Sequence, residues 1–224
     1  MLLLLSLLLL LSKILDNIFL SSNCIGIYGG TFNPLHNGHV MVIEEAIRQY
    51  GDIEKIVLMP NHAPAYKESR YIASPDDRIA MLKLMAKDNP KLAISDMEIR
   101  RGGYTYTYDT LKEITRQNPK LAIYFIIGSD SFLSINKWYK YEEILRMCTL
   151  LVAQREDSLA KINGFQDKLI KDISYAKVCF LKVEPYEAAS SDIRKSISEG
   201  KFPDDIMPEV IVKYIKENKL YGCE

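Results

Sequence analysis

The chain has 224 residues, with 29 basic and 29 acidic side chains and a hydrophobic content of 48%. This length fits one domain or two small ones, and the apolar fraction is sufficient for a full core. Because the formal charge is zero, nothing requires a nucleic-acid or membrane-binding surface. The four cysteines include no Cys-x-x-Cys pair, which disfavours a zinc knuckle or redox motif and suits reduced cytosolic thiols.

Residues 1–22 form an apolar N-terminal extension ahead of a predicted domain at 23–224. Met1–Leu11 is almost pure leucine, but it is about half the length of a membrane span, which needs roughly 20 apolar residues. A signal peptide would carry positive charge before its apolar core, and none is present. We therefore interpret the extension as a leader or, preferably, as the result of a start codon assigned too far upstream. A membrane-associated interaction protein is the alternative that this segment suggests.

The remaining chain alternates short apolar runs with helix-length amphipathic stretches. The predicted strands are Cys24–Tyr28, Ile53–Met59, Leu92–Met97, Leu121–Ile127, Thr149–Ala153 and Val178–Val183. The predicted helices are Val40–Tyr50, Pro75–Lys87, Thr107–Gln117, Asp130–Ile135, Tyr141–Met147, Ser158–Ile170, Ser191–Ser198 and Pro208–Asn218. Near-continuous hydrophobicity in the strands is typical of a sheet buried on both faces. The alternation predicts a single-domain α/β fold with a doubly wound parallel sheet, whose ligands bind at the carboxyl ends of the strands.

The connection between the first strand and the first helix, Gly29–His39, carries the most specific signal. Two glycines without Cβ atoms tolerate positive φ and let the backbone approach a bulky anion. The following helix N-terminus offers N–H groups and a positive dipole end to phosphate, and His36 and His39 stand beside it. No lysine follows Gly38 as in a P-loop, and the spacing of the glycines does not fit a dinucleotide fingerprint.

His36-Asn37-Gly38-His39 resembles the (H/T)xGH signature of the nucleotidyltransferase superfamily. Four further segments extend the likeness, namely Gly103–Leu111, Ile126–Ser131, Lys137–Tyr141 and Ser190–Arg194. In this order and at this spacing they resemble the bacterial nicotinate-mononucleotide adenylyltransferase family over about residues 24–222. The resemblance implies a Rossmann-like nucleotidyltransferase fold and a cytoplasmic enzyme of NAD biosynthesis. It implies adenylyl transfer from ATP to nicotinate mononucleotide (NaMN), giving deamido-NAD and pyrophosphate.

This reaction needs positioning and charge stabilisation rather than a general base. The acceptor phosphate is already an anion, so the enzyme must align two anions and neutralise the charge that develops. The resemblance assigns His39 to the α-phosphate and His36 to the phosphates. Arg194 would reach the β- or γ-phosphate with its planar guanidinium group. These three residues are the predicted catalytic set.

The resemblance and the side-chain chemistry predict a further set of ATP and phosphate contacts: Gly29, Gly30, Thr31, Phe32, Lys67, Gly128, Asp130, Ser190 and Ser191. The serines are expected to cap the helix before Arg194 and to offer hydroxyl and N–H groups to phosphate. Asp130 as a simple helix cap and Lys67 as a solvated lysine are the alternatives. The chain departs from the family pattern at Ala188 and Ala189, at Ser191 and at Tyr66.

The predicted site for the nicotinate nucleotide contains Tyr106, Thr107, Trp138 and Tyr139. Trp138 offers a flat face to a pyridine ring, although large aromatic residues are more often part of the core. The backbone at Tyr106 and Thr107 would hold the nicotinate carboxylate. No metal-binding cluster is visible in the sequence, and Mg²⁺ is expected to arrive on the triphosphate of ATP.

Several alternatives remain open from the sequence. A related transferase would use NMN, phosphopantetheine or a choline-type phosphate with CTP, and a nucleotide-binding regulator would have lost catalysis. The predicted partners are ATP and NaMN, without nucleic acid and without a membrane, and the oligomeric state is left open.

Overall fold

Six parallel strands form a central sheet in the computed structural model, which describes residues 18–62, 72–154, 159–184, 186, 188–203 and 205–223. The strands in this part of the chain are β1 (Cys24–Gly30), β2 (Lys55–Pro60), β3 (Leu92–Ile94), β4 (Ala122–Gly128), β5 (Thr149–Gln154) and β6 (Lys177–Lys182). Their order is β3-β2-β1-β4-β5-β6, and each ladder is parallel. The predicted doubly wound sheet is confirmed. Its strand order reverses between β1 and β4, where ligands bind in such folds.

Helices cover both faces of the sheet. They are α1 (Asn37–Gln49), α2 (Pro75–Ala86), α3 (Met97–Arg101), α4 (Thr107–Gln117), α5 (Ser129–Phe132), α6 (Tyr141–Met147), α7 (Leu159–Asp172), α8 (Ser190–Ser198) and α9 (Glu209–Glu217). Short 3₁₀ turns occupy Ile135–Lys137 and Leu220–Gly222. No helix among the described residues is long and apolar enough to cross a membrane.

Alternate residues of each strand enter different cores, because successive side chains point to opposite faces. On β2, Ile56 and Leu58 join the core formed with α1, α2, α8 and α9. Val57 and Met59 join the core formed with α4, α6 and α7. All four side chains are buried. This double burial explains why the strand sequences are continuously apolar rather than alternating.

Two predicted elements differ in kind from the prediction, whereas several others differ only at their ends. The strand predicted as Leu92–Met97 ends at Ile94, and Met97 begins the short helix α3 instead. Met97 is buried against the core as a helical residue, so its hydrophobicity was a misleading strand signal. The helix predicted as Asp130–Ile135 divides into α5 and a 3₁₀ turn. There the Ser134 hydroxyl donates to the carbonyls of Asp130 and Ser131, which competes with continued helix formation.

Residues 18–22, which were predicted to precede the domain, pack against it. Phe19 is fully buried in the core on the α4 side of the sheet. Asn118 Nδ2 donates to the carbonyl oxygens of Phe19 at 2.8 Å and Ser22 at 3.4 Å. The packed region therefore includes residues 18–22. Residues 1–17 lie outside the described residues, and the interpretation of the extension stays a prediction.

Candidate active site

Two neighbouring cavities open among the described residues at the carboxyl edge of the sheet. One, which we call the phosphate-side cavity, has a volume of about 170 Å³ and lies between the turn that follows β1 and the start of α8. The other has a volume of about 250 Å³ and lies over the ends of β1 and β4. The two meet along the backbone, because Gly30 lines the second and Thr31 lines the first. A larger cavity of about 600 Å³ lies at the opposite, amino-terminal edge, where doubly wound folds do not bind their ligands.

The turn that follows β1 is organised by the buried side chain of Asn33. Its Oδ1 accepts hydrogen bonds from the backbone N–H of Ala73 at 3.0 Å and from the hydroxyl of Tyr221 at 2.9 Å. Burial raises the pKa of Tyr221, which keeps its hydroxyl group protonated as the donor. Asn33 thereby joins the start of α2 and the C-terminal 3₁₀ turn to the phosphate-side cavity.

Two buried arginines bind backbone carbonyls of the same turn. Arg194 Nη1 donates to the carbonyl of Asn33 at 2.8 Å. Arg78 donates from Nη1 to the carbonyl of Thr31 at 2.9 Å and from Nη2 to that of His62 at 3.0 Å. Neither guanidinium group forms an ion pair among the described residues. Positive charge is therefore concentrated beside the cavity that Thr31 and Arg194 line.

The two histidines lie at the start of α1, which begins at Asn37 rather than at the predicted Val40. His36 is the N-cap residue and is buried, and its ring centroid is 3.8 Å from that of His39. His39 Nδ1 accepts a hydrogen bond from the backbone N–H of His36 at 3.2 Å. Because Nδ1 is the acceptor, the proton of neutral His39 resides on Nε2.

Burial, with a smaller effect from the neighbouring His36, lowers the pKa of His39 to about 3. The ring is therefore neutral at physiological pH. His39 also lines the phosphate-side cavity. A neutral imidazole with its Nε2–H free of the His36 bond is a hydrogen-bond donor suited to phosphate oxygens.

Gly38 is required by the two rings that surround it. A Cβ atom here would lie 2.9 Å from the ring of Tyr186 and 3.1 Å from the ring of His36. Gly29 and Gly30, which tolerate positive φ, do not adopt it in the structure. The positive φ is at Phe32, at 47°, and a Cβ on Gly30 would lie 3.2 Å from the Phe32 ring. The glycines of β1 thus make room for side chains and ligand rather than for an unusual backbone conformation.

The larger of the two cavities at the carboxyl edge combines aromatic and polar groups. Trp138 lines it and packs edge-on against Phe125, with ring centroids 6.3 Å apart. Thr105 Oγ1 and Asn61 Oδ1 also belong to lining residues, and both atoms are buried without a hydrogen-bond partner among the described residues. Because such atoms are costly to bury unpaired, they indicate a polar ligand in this cavity.

Comparison with known proteins identifies the family. A family model described as cytidylyltransferase-like matches residues 27–196. A Lactococcus lactis protein named "Probable nicotinate-nucleotide adenylyltransferase" is 34% identical over 197 residues, which cover 88% of this chain and 94% of that one. A protein of the same name from Lachnoclostridium phytofermentans is 36% identical over 202 residues, covering 88% and 98%. The chain belongs to the nicotinate-nucleotide adenylyltransferase family.

Membership of this adenylyltransferase family confirms the predicted class, a nucleotidyltransferase enzyme. The fold agrees with the Plasmodium falciparum nicotinic acid mononucleotide adenylyltransferase complexed with NaAD. The TM-score is 0.70 at 21% identity, over 90% of this chain and 98% of that one. The same enzyme complexed with APC gives a TM-score of 0.68 at 20% identity. These likenesses confirm the Rossmann-like architecture.

The structure brings most of the residues expected for an adenylyltransferase to the two cavities. The phosphate-side cavity is lined by Thr31, Phe32, His39, Ser190 and Arg194. The larger cavity, which we call the acceptor cavity, is lined by Gly29, Gly30, Thr107, Gly128 and Trp138. Gly29, Gly30 and Gly128, which were predicted to contact ATP, line the same cavity as Trp138, and their contact with ATP stays a prediction.

Other predicted residues lie elsewhere. Asp130, Ser191, Tyr106 and Tyr139 are exposed and line neither cavity, and Lys67 lies outside the described residues. The expectation that serines cap α8 is wrong, because the N-cap residue is Ala189 and makes no side-chain bond. Ser190 is the first helical residue, and its hydroxyl donates to the carbonyl of Pro34 at 3.1 Å.

Sequence reasoning did not name as site residues ten of the residues that line the cavities: Asn33 and Ile72 on the phosphate side, and Tyr28, Asn61, Glu98, Thr105, Phe125, Ile126, Ile127 and Ser131 on the acceptor side. Asn61 directly follows β2, and Glu98 lies a few residues after β3. Polar residues just beyond the ends of central parallel strands are a usable signal, because those ends share one edge. No group of three potential metal ligands occurs within the described ranges.

Proposed function

We propose that this protein transfers the adenylyl group of ATP to NaMN, forming deamido-NAD and releasing pyrophosphate. The observation that carries the proposal is the pairing of the two cavities. The phosphate-side cavity has His39 as a neutral donor and Arg194 as a fixed cation, and it adjoins a cavity with the Trp138 ring. The relatives named as nicotinate-nucleotide adenylyltransferases support the same reaction.

In the proposed reaction an oxygen of the NaMN phosphate attacks the α-phosphorus of ATP. The bond between the α-phosphorus and the bridging oxygen breaks, and that oxygen leaves with pyrophosphate. His39 donates its Nε2–H to an α-phosphate oxygen, where negative charge develops. Arg194 stabilises the departing pyrophosphate as a hydrogen-bonding cation.

A divalent cation, Mg²⁺ in our proposal, would be carried by the triphosphate and would neutralise part of its charge. The chemistry of the lining fits this arrangement, because the phosphate-side cavity presents donors and a cation rather than carboxylate ligands. The protein's own residues would therefore orient the phosphates, and the phosphates would hold the metal.

The test uses the full-length chain with ATP, Mg²⁺ and either NaMN or NMN, and it measures pyrophosphate release and the dinucleotide product. We expect release with NaMN. We also expect the His39→Asn variant to lose about 10²–10³-fold in kcat while retaining its circular dichroism spectrum. Absence of turnover with both acceptors would refute the proposal. Turnover with NMN alone would support the second candidate, an NMN adenylyltransferase, because the carboxamide of NMN could donate to the buried Asn61 Oδ1 in the acceptor cavity.

A further inference from the structure

An acidic side chain lies in the acceptor cavity and has no role in the mechanism above. Glu98 is on α3, is only 8% exposed, and lines the cavity together with Thr105, Thr107 and Trp138. It is the one carboxyl group among the described residues that line this cavity. A buried acid in a ligand cavity is a candidate for a functional role when its surroundings alter its ionisation.

Glu98 is held by a hydrogen-bond network and forms no direct ion pair within the part of the chain that the structure describes. The Thr110 hydroxyl donates to Glu98 Oε1 at 2.7 Å. Arg101 donates to the Thr110 hydroxyl at 3.0 Å, and its other terminal nitrogen donates to Glu113 Oε2 at 2.7 Å. The guanidinium group of Arg101 is therefore paired with Glu113 on α4, and it reaches Glu98 only through Thr110.

We propose that Glu98 is a specificity-determining residue of the acceptor cavity. Its carboxyl group approaches the substituent on the pyridine ring, and its protonation selects between the carboxylate of nicotinate and the carboxamide of nicotinamide. This inference rests on the proposed function, since it concerns the acceptor of that reaction.

The electrostatic surroundings of Glu98 place its titration near neutral pH. Burial raises the pKa of Glu98 to about 7, and the Thr110 hydrogen bond and the charge of Arg101 oppose this effect only in part. The remaining titratable group in the lining is Tyr28 on β1, and the lining residues from β2, β4 and α4 are uncharged. Glu98 therefore changes charge within the pH range in which acceptors can be compared.

The polar atoms beside Glu98 indicate that the ligand has a polar substituent at this point. Thr105 Oγ1 and Asn61 Oδ1 are buried and unpartnered within the described part of the chain. A bare aromatic ring would leave both unsatisfied. A carboxylate can accept from the Thr105 hydroxyl, and a carboxamide can in addition donate to Asn61 Oδ1. Trp138 supplies the apolar face of the same cavity.

The sign of the effect follows from the charge. Below about pH 7 the protonated Glu98 donates a hydrogen bond, which favours the carboxylate of NaMN. Above that pH the ionised Glu98 repels this carboxylate and accepts from the amide group of NMN. The preference for NaMN over NMN should therefore fall as the pH rises.

The experiment measures kcat/KM for NaMN and for NMN with the full-length protein between pH 6 and pH 8.5. The ratio of the two values removes the effects that both acceptors share, including titration of the acceptor phosphate and of His39. We expect the ratio to fall by roughly tenfold across this range. A repulsion between ionised Glu98 and the NaMN carboxylate that is equivalent to about one pKa unit changes the affinity about tenfold. A ratio that does not change with pH would overturn the inference.

Two matched variants separate a direct effect from a structural one. E98Q keeps the shape and an acceptor for Thr110 but cannot ionise, so its ratio should be independent of pH. E142Q makes the same chemical change at an exposed position on α6, outside both the cavity and the network, and should retain the pH-dependent ratio of the wild type. If E98Q retains the pH dependence, or if E142Q abolishes it equally, Glu98 is not the selector. If neither acceptor is turned over by the wild type, the proposed function fails instead.

Discussion

The neutral state of His39 predicts a measurable dependence of folding stability on pH. Burial lowers the pKa of His39 from 6.5 to about 3 in the folded state, so acid must favour the unfolded chain, which binds the proton more readily. The informative substitution is His39→Asn. Asparagine does not titrate, and its side-chain oxygen can replace Nδ1 as acceptor for the backbone N–H of His36.

The magnitude follows from the two pKa values. Between about pH 3 and pH 6.5 the unfolded state holds one more proton than the folded state at this site. The free energy of unfolding therefore decreases by about 1.4 kcal/mol for each pH unit below 6.5. This amounts to about 2 kcal/mol at pH 5. Because the ring keeps some exposure to the cavity, we expect a measured loss of about 1–2 kcal/mol.

Glu98 acts in the opposite direction, so the wild type alone does not provide the test. Its pKa is raised from 4.5 to about 7, and between these values the folded state holds the extra proton. Its contribution to stability therefore increases as the pH falls from 7 to 4.5, which offsets the loss at His39. The difference between wild type and variant isolates His39, because Glu98 is unchanged in both.

The assay is urea unfolding of wild type and His39→Asn at pH 7 and at pH 5, without nucleotide. On going from pH 7 to pH 5, the free energy of unfolding should fall by about 1–2 kcal/mol more in the wild type than in the variant. Equal changes in both proteins would show that His39 titrates normally. In that case the lowered pKa of His39, and with it the burial of a permanently neutral ring beside the phosphate-side cavity, would be refuted.

Two further substitutions test the packing around the site and at the domain boundary. Phe19→Ala should lower the free energy of unfolding by about 3–5 kcal/mol, because a fully buried ring is removed. The control is Leu20→Ala, at a side chain that is 56% exposed, which should change this free energy by less than about 0.5 kcal/mol. Equal effects of the two substitutions in urea unfolding would argue against a packed Phe19. Gly38→Ala should reduce kcat by at least about tenfold, because the new Cβ displaces the His36 and Tyr186 rings. The control is Gly51→Ala, where a Cβ meets nothing within 4 Å. Unchanged steady-state kinetics in both variants would contradict the proposed role of the Gly38 contacts.

The strands of the sheet and the Gly29–His39 part of the site could be predicted from the sequence, for a physical reason. Strands buried on both faces are continuously apolar, so β1, β2, β4, β5 and β6 were predicted with errors only at their ends. The Gly29–His39 segment was recognised because several requirements of anion binding fall together in one short run. His39 and Arg194 were therefore assigned correctly to one neighbourhood, which the structure shows as a shared cavity.

The acceptor side was less predictable, because it depends on contacts between distant segments. Met97 was interpreted as the end of a strand, which hid the short helix that carries Glu98. The raised pKa of Glu98 results from burial, which the Thr110 hydrogen bond and the charge of Arg101 oppose only in part. This burial is not visible in the local sequence. Likewise, the positive φ in the turn after β1 lies at Phe32 and not at the glycines that precede it.

The way in which the arginines are held explains how this site can receive a highly charged ligand. Arg78 and Arg194 bind the carbonyl groups of Thr31, His62 and Asn33, and they form no ion pair among the described residues. A carboxylate partner would fix a guanidinium group equally well but would cancel its charge. Carbonyl partners fix the geometry and leave the charge available.

A backbone group also fixes a functional side chain at the start of α1. The backbone N–H of His36, an otherwise unpaired donor at a helix N-terminus, binds His39 Nδ1 and so fixes the tautomer that presents Nε2–H. The turn after β1 and the start of α1 thus place a neutral donor near Arg78 and Arg194, two cations that form no ion pair among the described residues. A bound triphosphate would supply the counter-charge, and we expect it to stabilise the folded state by an amount that grows with its concentration relative to its dissociation constant.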